Sequence, residues 1–182
     1  RVARRARRIL TAMNEWPTAE LLESRRVSME PLTIRHAGEM AEVLAEPARY
    51  RYTGGHAPSA EELTERYARQ VTGRSADGRQ GWLNWVVRRR DSGEAIGFTQ
   101  ATLTREGEAV VAEIAWVVNP RHQRNGFASE AAVAMRAWLR SRGIERFVAF
   151  IAPSNQPSIS VARNLRMRAS GLEVDGEDLW RG

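Results

Sequence analysis

Val117-Val118-Asn119-Pro120-Arg121-His122-Gln123-Arg124-Asn125-Gly126-Phe127-Ala128 is a β-branched strand end, a polar loop and a helix start in one uninterrupted run. Pro120 cannot donate to a strand ladder and closes the strand. From Phe127 the apolar residues Ala131, Ala134, Met135, Trp138 and Leu139 fall at offsets of 4, 7, 8, 11 and 12, one face of a long helix. Arg140 and Arg142 suit the last turn, and Gly143 supplies the stop. A polar loop that opens straight into such a helix is a ready anion site. Its first N–H groups lack helical partners and the dipole adds roughly half a positive charge. Gly126 lets a phosphate approach the backbone, Ala128 keeps the next turn small, and Arg121 and Arg124 can add charge from outside.

Outward from this junction the pattern is mixed. Upstream, residues 110–118 read as a strand, and 82–89 and 94–103 as a hairpin turned by Asp91-Ser92-Gly93. Earlier still, 27–32 is a short strand. Ala37, Met40, Ala41 and Leu44 mark a helix ended by Pro47. Ser59-Ala60-Glu61-Glu62 is a capping box that opens a second helix bearing Leu63, Tyr67 and Val71. Downstream, 147–151 is a buried-type strand stopped at Pro153-Ser154-Asn155. Ile159, Ala162 and Leu165 give a short helix, and 169–174 and 178–180 two weak strands. The expectation is an α+β sheet with helices on its faces.

The chain has 182 residues, 42% hydrophobic and 27% charged, which suits one globular domain. No apolar run approaches the roughly 18 residues of a membrane span, and no apolar stretch follows the N-terminal arginines as a secretory signal requires. A cytoplasmic setting is expected, without membrane partners. There is no cysteine, hence no disulfide, thiolate metal site or cysteine nucleophile. All 28 basic residues are arginine, so there is no P-loop or Schiff-base lysine. Arg1, Arg4, Arg5, Arg7 and Arg8 carry most of the +6 net charge; removing these five of 28 leaves 23 arginines against 22 acids. Residues 1–12 read as a solvated, disordered tail, Met13 as a candidate natural start, and 13–182 as the folded domain. Nucleic acid is not the expected partner. His36, His56 and His122 lack metal-ligand spacing, and no metal is assigned.

Gln123-Arg124-Asn125-Gly126-Phe127-Ala128 resembles the acetyl-CoA loop of the GNAT N-acetyltransferase superfamily, Gln/Arg-x-x-Gly-x-Gly/Ala. Ala112-Glu113-Ile114-Ala115-Trp116 before it and Ser129-Glu130-Ala131 after it look like the branch that includes the ribosomal-protein alanine and serine N-acetyltransferases. Far downstream, Asn155-Gln156-Pro157-Ser158 is similar to that branch's Asn-x-x-Ser helix start, and residues 175–180 resemble its closing hairpin. The likeness spans roughly residues 15 to 181. It implies a GNAT-like fold: a mixed, mostly antiparallel twisted sheet, helices on both faces and a splayed central strand pair. It also implies acetyl-CoA as co-substrate. On that basis Trp116, Val117 and Val118 would offer backbone groups to the pantetheine arm, and Gln123, Arg124, Asn125, Gly126, Phe127 and Ala128 would hold the pyrophosphate. Asn155 would reach the pantetheine or thioester, the strands parting where Pro120 and Pro153 stop pairing; a plain helix cap is the other reading of Asn155.

Acetyl transfer needs a neutral amine, a polarised thioester carbonyl and a proton for the departing thiolate. Glu113, in an otherwise apolar strand, is the expected base; an arginine-paired surface Glu is the alternative. Ser158 is the expected proton donor, unless it merely satisfies backbone. Two residues depart from the family pattern. Ala162 stands where many relatives have a tyrosine acid, and Arg166 where a glycine usually ends the helix. At neutral pH an α-amine is about a tenth neutral, a lysine in roughly one molecule per few thousand. Weak base machinery therefore favours an α-amine, on a protein N-terminus or a small molecule. Tyr50, Tyr52, Thr53, Gly54 and Gly55 are expected to border the acceptor, with Trp82 and Trp85 as walls; a place in the core is the other, more frequent, reading of such aromatics. The alternative function is a degenerate acyl-CoA-binding sensor. A homodimer is compatible with the sequence, which does not determine one.

Overall fold

The computed structural model describes residues 15–46 and 56–182. The arginine tail, Met13, Pro47 and the loop with Tyr50, Tyr52, Thr53, Gly54 and Gly55 lie outside them. The order is β1 (Leu22–Glu23), β2 (Val27–Pro31), a 3-10 turn (Ile34–His36), α1 (Ala37–Val43), α2 (Ala60–Gln70), β3 (Gln80–Arg89), β4 (Ala95–Glu106) and β5 (Ala109–Val118). A second 3-10 turn (Pro120–His122) leads to α3 (Phe127–Ser141), β6 (Arg146–Ile151), α4 (Gln156–Asn164), β7 (Arg168–Val174) and β8 (Glu177–Arg181). Ser59 caps α2 by the reciprocal bonds its sequence predicts: Glu62 N–H to Ser59 Oγ at 3.2 Å and Ser59 N–H to Glu62 Oε2 at 2.8 Å. The short β1 was not expected from the sequence. Among the described residues no helix is long and apolar enough to cross a membrane.

The eight strands form one sheet in the order β1-β2-β3-β4-β5-β6-β8-β7. All neighbours are antiparallel except β5 and β6. Period-two alternation sends Leu83, Trp85 and Val87 to one face, where Ala131, Met135 and Leu139 of α3 and Ile159 and Ala162 of α4 complete the larger core. Burying Met135 and Leu139 contributes about 1.5–3 kcal/mol each. Val86 and Ala95 look the other way, onto Met40 and Val43 of α1 and Leu63 and Tyr67 of α2. Of the two readings of Trp85, acceptor wall or core, the structure takes the core: it is fully buried in the α3 core, its Nε1–H bonded to the Glu20 carbonyl at 2.8 Å. Its place in the alternation put it opposite Trp82.

The central feature is where β5 and β6 part. Their pairing covers Val111–Arg146, Ala112–Phe147 and Glu113–Val148 and then stops. β5 runs on beside β4 to the Val118–Gly97 pair, while β6 runs on beside β8 to Ile151–Asp178. The splay thus opens at Glu113 and Val148, well before the Pro120 and Pro153 that the sequence nominated. β4 is irregular beside the far end of the open stretch. Arg88 pairs with Ala95 and Val87 with Gly97, leaving Ile96 as the extra residue of a bulge, and bulges bend and twist a strand. Beside the bulge the Val117 carbonyl oxygen lies 1.9 Å from where a Cβ on Gly97 would stand. Glycine at this position leaves room for the close approach of β5 to the bulged end of β4.

α4 also stops without the glycine of the family pattern. Arg166 takes a left-handed φ of 58° and the Met167 N–H closes onto the Ala162 carbonyl at 2.9 Å. A side chain in that conformation costs roughly 1–2 kcal/mol. The Gly97 contact carries a direct test. Gly97→Ala should destabilise the domain by about 1–3 kcal/mol in urea denaturation, and a midpoint indistinguishable from wild type would refute the close approach.

Candidate active site

Between β5 and α3 the chain is held by its own side chains. Buried Asn119 donates Nδ2–H to the Val43 carbonyl at 2.8 Å and accepts the Arg121 N–H at 2.9 Å, pinning the loop to α1. Gln123 donates Nε2–H to the Val118 carbonyl at 3.1 Å, so its amide ends β5. Asn125 donates Nδ2–H to the Gln123 carbonyl at 3.0 Å. Arg124 and Gly126 both have positive φ, 62° and 79°. Beyond them the N–H groups of Gly126, Phe127, Ala128 and Ser129 have no partner among the described residues. These unpaired donors stand at the loop where the sequence leads one to expect an anion cradle. Of the two flanking arginines, Arg121 is tied to Glu46 at 2.9 Å, while Arg124 has no ion-pair partner among the described residues. His122 lies against Glu94, Nε2 to Oε1 3.0 Å.

A residue the sequence did not single out lies over this loop. Arg26, between β1 and β2, donates its backbone N–H to Glu130 Oε1 at 2.6 Å, Nε–H to Glu130 Oε2 at 2.7 Å and Nη1–H to the Asn125 carbonyl at 2.9 Å. Its guanidinium is 4.9 Å from the centre of the Phe127 ring. The Ser24 hydroxyl adds a third bond to the Glu130 carboxylate, at 2.7 Å. Partial burial acts to raise the Glu130 pKa, but the Arg26 N–H, the Ser24 hydroxyl and the guanidinium outweigh it and hold the carboxyl below its usual range. No local motif links residues so far apart in the chain.

The open wedge lies beside the loop. From Ile114 to Val118 the β6-facing edge of β5 has no strand partner. On the α3 side of the sheet, Trp116 Nε1 and Thr99 Oγ1 are buried without hydrogen-bond partners, and Thr99 and Trp116 are cross-strand neighbours. Free cradle N–H groups, an unpaired strand edge and an orphaned indole N–H together suit a long polar ligand with a phosphate end and an amide-bearing arm. At the start of α4, Asn155 Oδ1 accepts the Ser158 N–H at 3.2 Å, so Asn155 is a helix cap with its amide nitrogen left over. The Ser158 hydroxyl is half-buried and makes no intramolecular bond among the described residues.

Glu113 faces the opposite side. Register places Trp82, Thr102 and Glu113 in one cross-strand row and Asn84, Gln100 and Ala115 in the next. α1 and α2 pack on this face only at its other end, around Val86, Phe98 and Val117. A cleft of about 980 Å³ adjoins the rows, lined by Trp82, Asn84, Leu32, Thr72, Arg74 and Thr104. Trp82 is therefore a wall of this cleft. Among the described residues Glu113 has no arginine partner, and no hydrogen bond joins it to Ser158. Although the residue is exposed, its carboxyl pKa is raised, first by lost hydration and second by the Glu177 carboxylate. Asn84 and Gln100 are half-buried neighbours on this floor that the sequence analysis passed over, because single amides in strands carry no motif.

Residues 26–168 match the Acetyltransferase (GNAT) domain family, which covers the loop, the wedge and Glu113. The chain belongs to the GNAT acetyltransferase family. As a GNAT domain it is an acetyltransferase, and acetyl-CoA is the acyl donor of the family. An uncharacterized N-acetyltransferase from Bacillus subtilis, YnaD, is 40% identical over 61 residues; the match spans 33% of this chain and 36% of that protein. A GNAT-family acetyltransferase structure from Bordetella pertussis superposes with a TM-score of 0.68 at 26% identity, covering 89% of this chain and 98% of that one. A ribosomal-protein-S5-alanine acetyltransferase from Vibrio fischeri superposes with a TM-score of 0.72 at 16% identity, over 90% and 96% of the two chains, which shows the common fold.

The cap at Asn155 separates two roles by experiment. Asn155→Ala should cost about 1 kcal/mol of stability, whereas Asn155→Asp, which still caps, should keep the stability. Chemical denaturation of the two variants measures the difference; equal losses in both would rule out capping.

Proposed function

We propose that this protein transfers the acetyl group of acetyl-CoA directly to a primary amine, with an α-amine, on a peptide N-terminus or a small molecule, as the favoured acceptor. The observation that carries this is one of placement. The free N–H groups at the start of α3 and the open edge of β5 lie on the α3 side, and Glu113, unpaired and with a raised pKa, lies on the uncovered side. Donor and acceptor can meet where the strands part.

Bound acetyl-CoA supplies an activated thioester carbonyl. The N–H groups from Gly126 to Ser129, with the loop Gln123 to Ala128, hold the pyrophosphate; Trp116, Val117 and Val118 border the pantetheine along β5, and Asn155 meets it from α4. Glu113 takes the ammonium proton, directly or through water. The free amine attacks, its N–C bond forming as the C–S bond breaks, and the Ser158 hydroxyl or water returns a proton to the thiolate. Ala162 is fully buried against the sheet, so that position supplies no acid. Even with its pKa raised, a carboxylate is a far weaker base than an amine, which suits an acceptor that is already partly neutral, hence an α-amine before lysine. A cysteine-free chain and this co-substrate fit a cytoplasmic setting.

The same Ala162 is what favours the second reading, a CoA-binding sensor without turnover. Titration calorimetry with acetyl-CoA and CoA separates the cases when followed by thiol release with an amine panel. Wild type should bind and turn over, and Gly126→Glu, which sets a side chain and a charge at a φ of 79°, should lose binding while still folded. Binding without thiol release would support the sensor; no binding in wild type would sink both.

Glu113 has its own signature. A base must be ionised, so kcat should rise with pH through the raised Glu113 pKa and fall below it. The sign for stability is opposite: the fold disfavours the ionised form, so stability is lost, not gained, as pH rises through that pKa. Glu113→Gln should therefore lower kcat about 100-fold, erase the acidic limb of the pH profile and leave the thermal midpoint at neutral pH no lower than wild type. Retained activity with an unchanged pH profile would remove Glu113 from the mechanism.

A further inference from the structure

We propose that Arg26 is a positioning residue for the anion loop, acting through two separable contacts: it fixes the orientation of the Asn125–Gly126 peptide and it covers the Glu130 carboxylate. The inference rests on the acetyl-CoA reading above and goes beyond it, since Arg26 belongs to another strand turn and lies outside the loop motif.

The first contact is geometric. In a trans, planar peptide the C=O of one residue and the N–H of the next point in opposite directions. Arg26 Nη1 holds the Asn125 carbonyl at 2.9 Å. The Gly126 N–H is thereby turned away from Arg26, to the side of the other unpaired donors at the head of α3. Asn125 sits between Arg124 at a φ of 62° and Gly126 at 79°. Peptides next to left-handed residues reverse with small changes elsewhere, as the pairs of related turn types show. A reversed peptide would put a carbonyl oxygen among those donors, where it would repel phosphate. Arg26 also closes the space on its own side: its Nη2 is 3.3 Å from where a Cβ on Gly126 would stand.

The second contact is electrostatic. Glu130 lies in the first turn of α3, where a carboxylate is favoured by the helix dipole and so competes with an incoming anion for the same helix end. Both Glu130 oxygens are engaged, Oε1 by the Arg26 N–H and the Ser24 hydroxyl, Oε2 by Arg26 Nε. With the guanidinium in place the pair is neutral as seen from the cradle. Without it, a negative charge stands beside the phosphate site.

Calorimetry with acetyl-CoA, thermal melts and steady-state kinetics on wild type, Arg26→Ala, Arg26→Lys and the double variant Arg26→Ala/Glu130→Gln test both contacts. Arg26→Ala should weaken acetyl-CoA binding on the order of tenfold, expressed in the KM for acetyl-CoA while kcat stays close to wild type. Arg26→Lys, which keeps a cation beside Glu130 but lacks the fork, should fall between. The double variant should bind several-fold more tightly than Arg26→Ala although it restores no contact, an effect that a purely structural role would not produce. Wild-type affinity in Arg26→Ala, or a double variant no tighter than the single, overturns the proposal while wild-type binding leaves the acetyltransferase reading standing. Absence of binding in wild type would instead overturn that reading and this one with it.

Discussion

A missing Cβ at Gly97 is the constraint on which the site depends. The Val117 carbonyl occupies the space that any other residue's side chain would need. Because that space is empty, β5 can stay paired with the bulged β4 as far as Val118, along the stretch where β6 has already left after three register pairs. The parallel β5–β6 pairing could otherwise have continued to the proline stops, with its polar backbone groups used up in strand pairing. Parting the strands early keeps donors and acceptors of β5 available in the middle of the fold, next to the start of α3.

The charges around the site follow a consistent division. On the phosphate side, carboxylates are paired: Glu130 with Arg26, Glu46 with Arg121. On the other side, Glu113 is left without a cation and is opposed by Glu177, which keeps it closer to a proton. Negative charge is thus neutralised beside the start of α3 and left in place on the opposite face of the sheet. The neutral floor formed by Trp82, Asn84, Gln100 and Thr102 continues from Glu113 towards the cleft without adding charge.

The local signals in the sequence translated well into elements. The capping box at Ser59 to Glu62, the hairpin at Asp91 to Gly93, the Phe127 to Leu139 stripe and the Gly143 stop all rest on chemistry within a few residues, and each stands where that chemistry puts it. The anion loop was legible for the same reason. What escaped was long-range. Arg26 and Glu130 come together only through the sheet; β1 is two residues long and exists because β2 is beside it. The position of the splay was misjudged because prolines are visible in a sequence and a carbonyl packed on a glycine is not. Trp85 was misplaced because which face of a hairpin meets which helix is decided by tertiary packing, and strand alternation alone is symmetrical.

Three register pairs also join two unequal halves of one sheet. β1 to β5, with α1 and α2, stand on one side of that seam, and β6, β8 and β7 on the other, while α3 and α4 share the core that bridges it. A ladder so short resists shear weakly, so the seam is the compliant line of the molecule, along which the halves can rock with little loss of backbone bonding. A ligand lying in the gap would act there as a splint, and the mechanical stiffness of the domain would then report its occupancy.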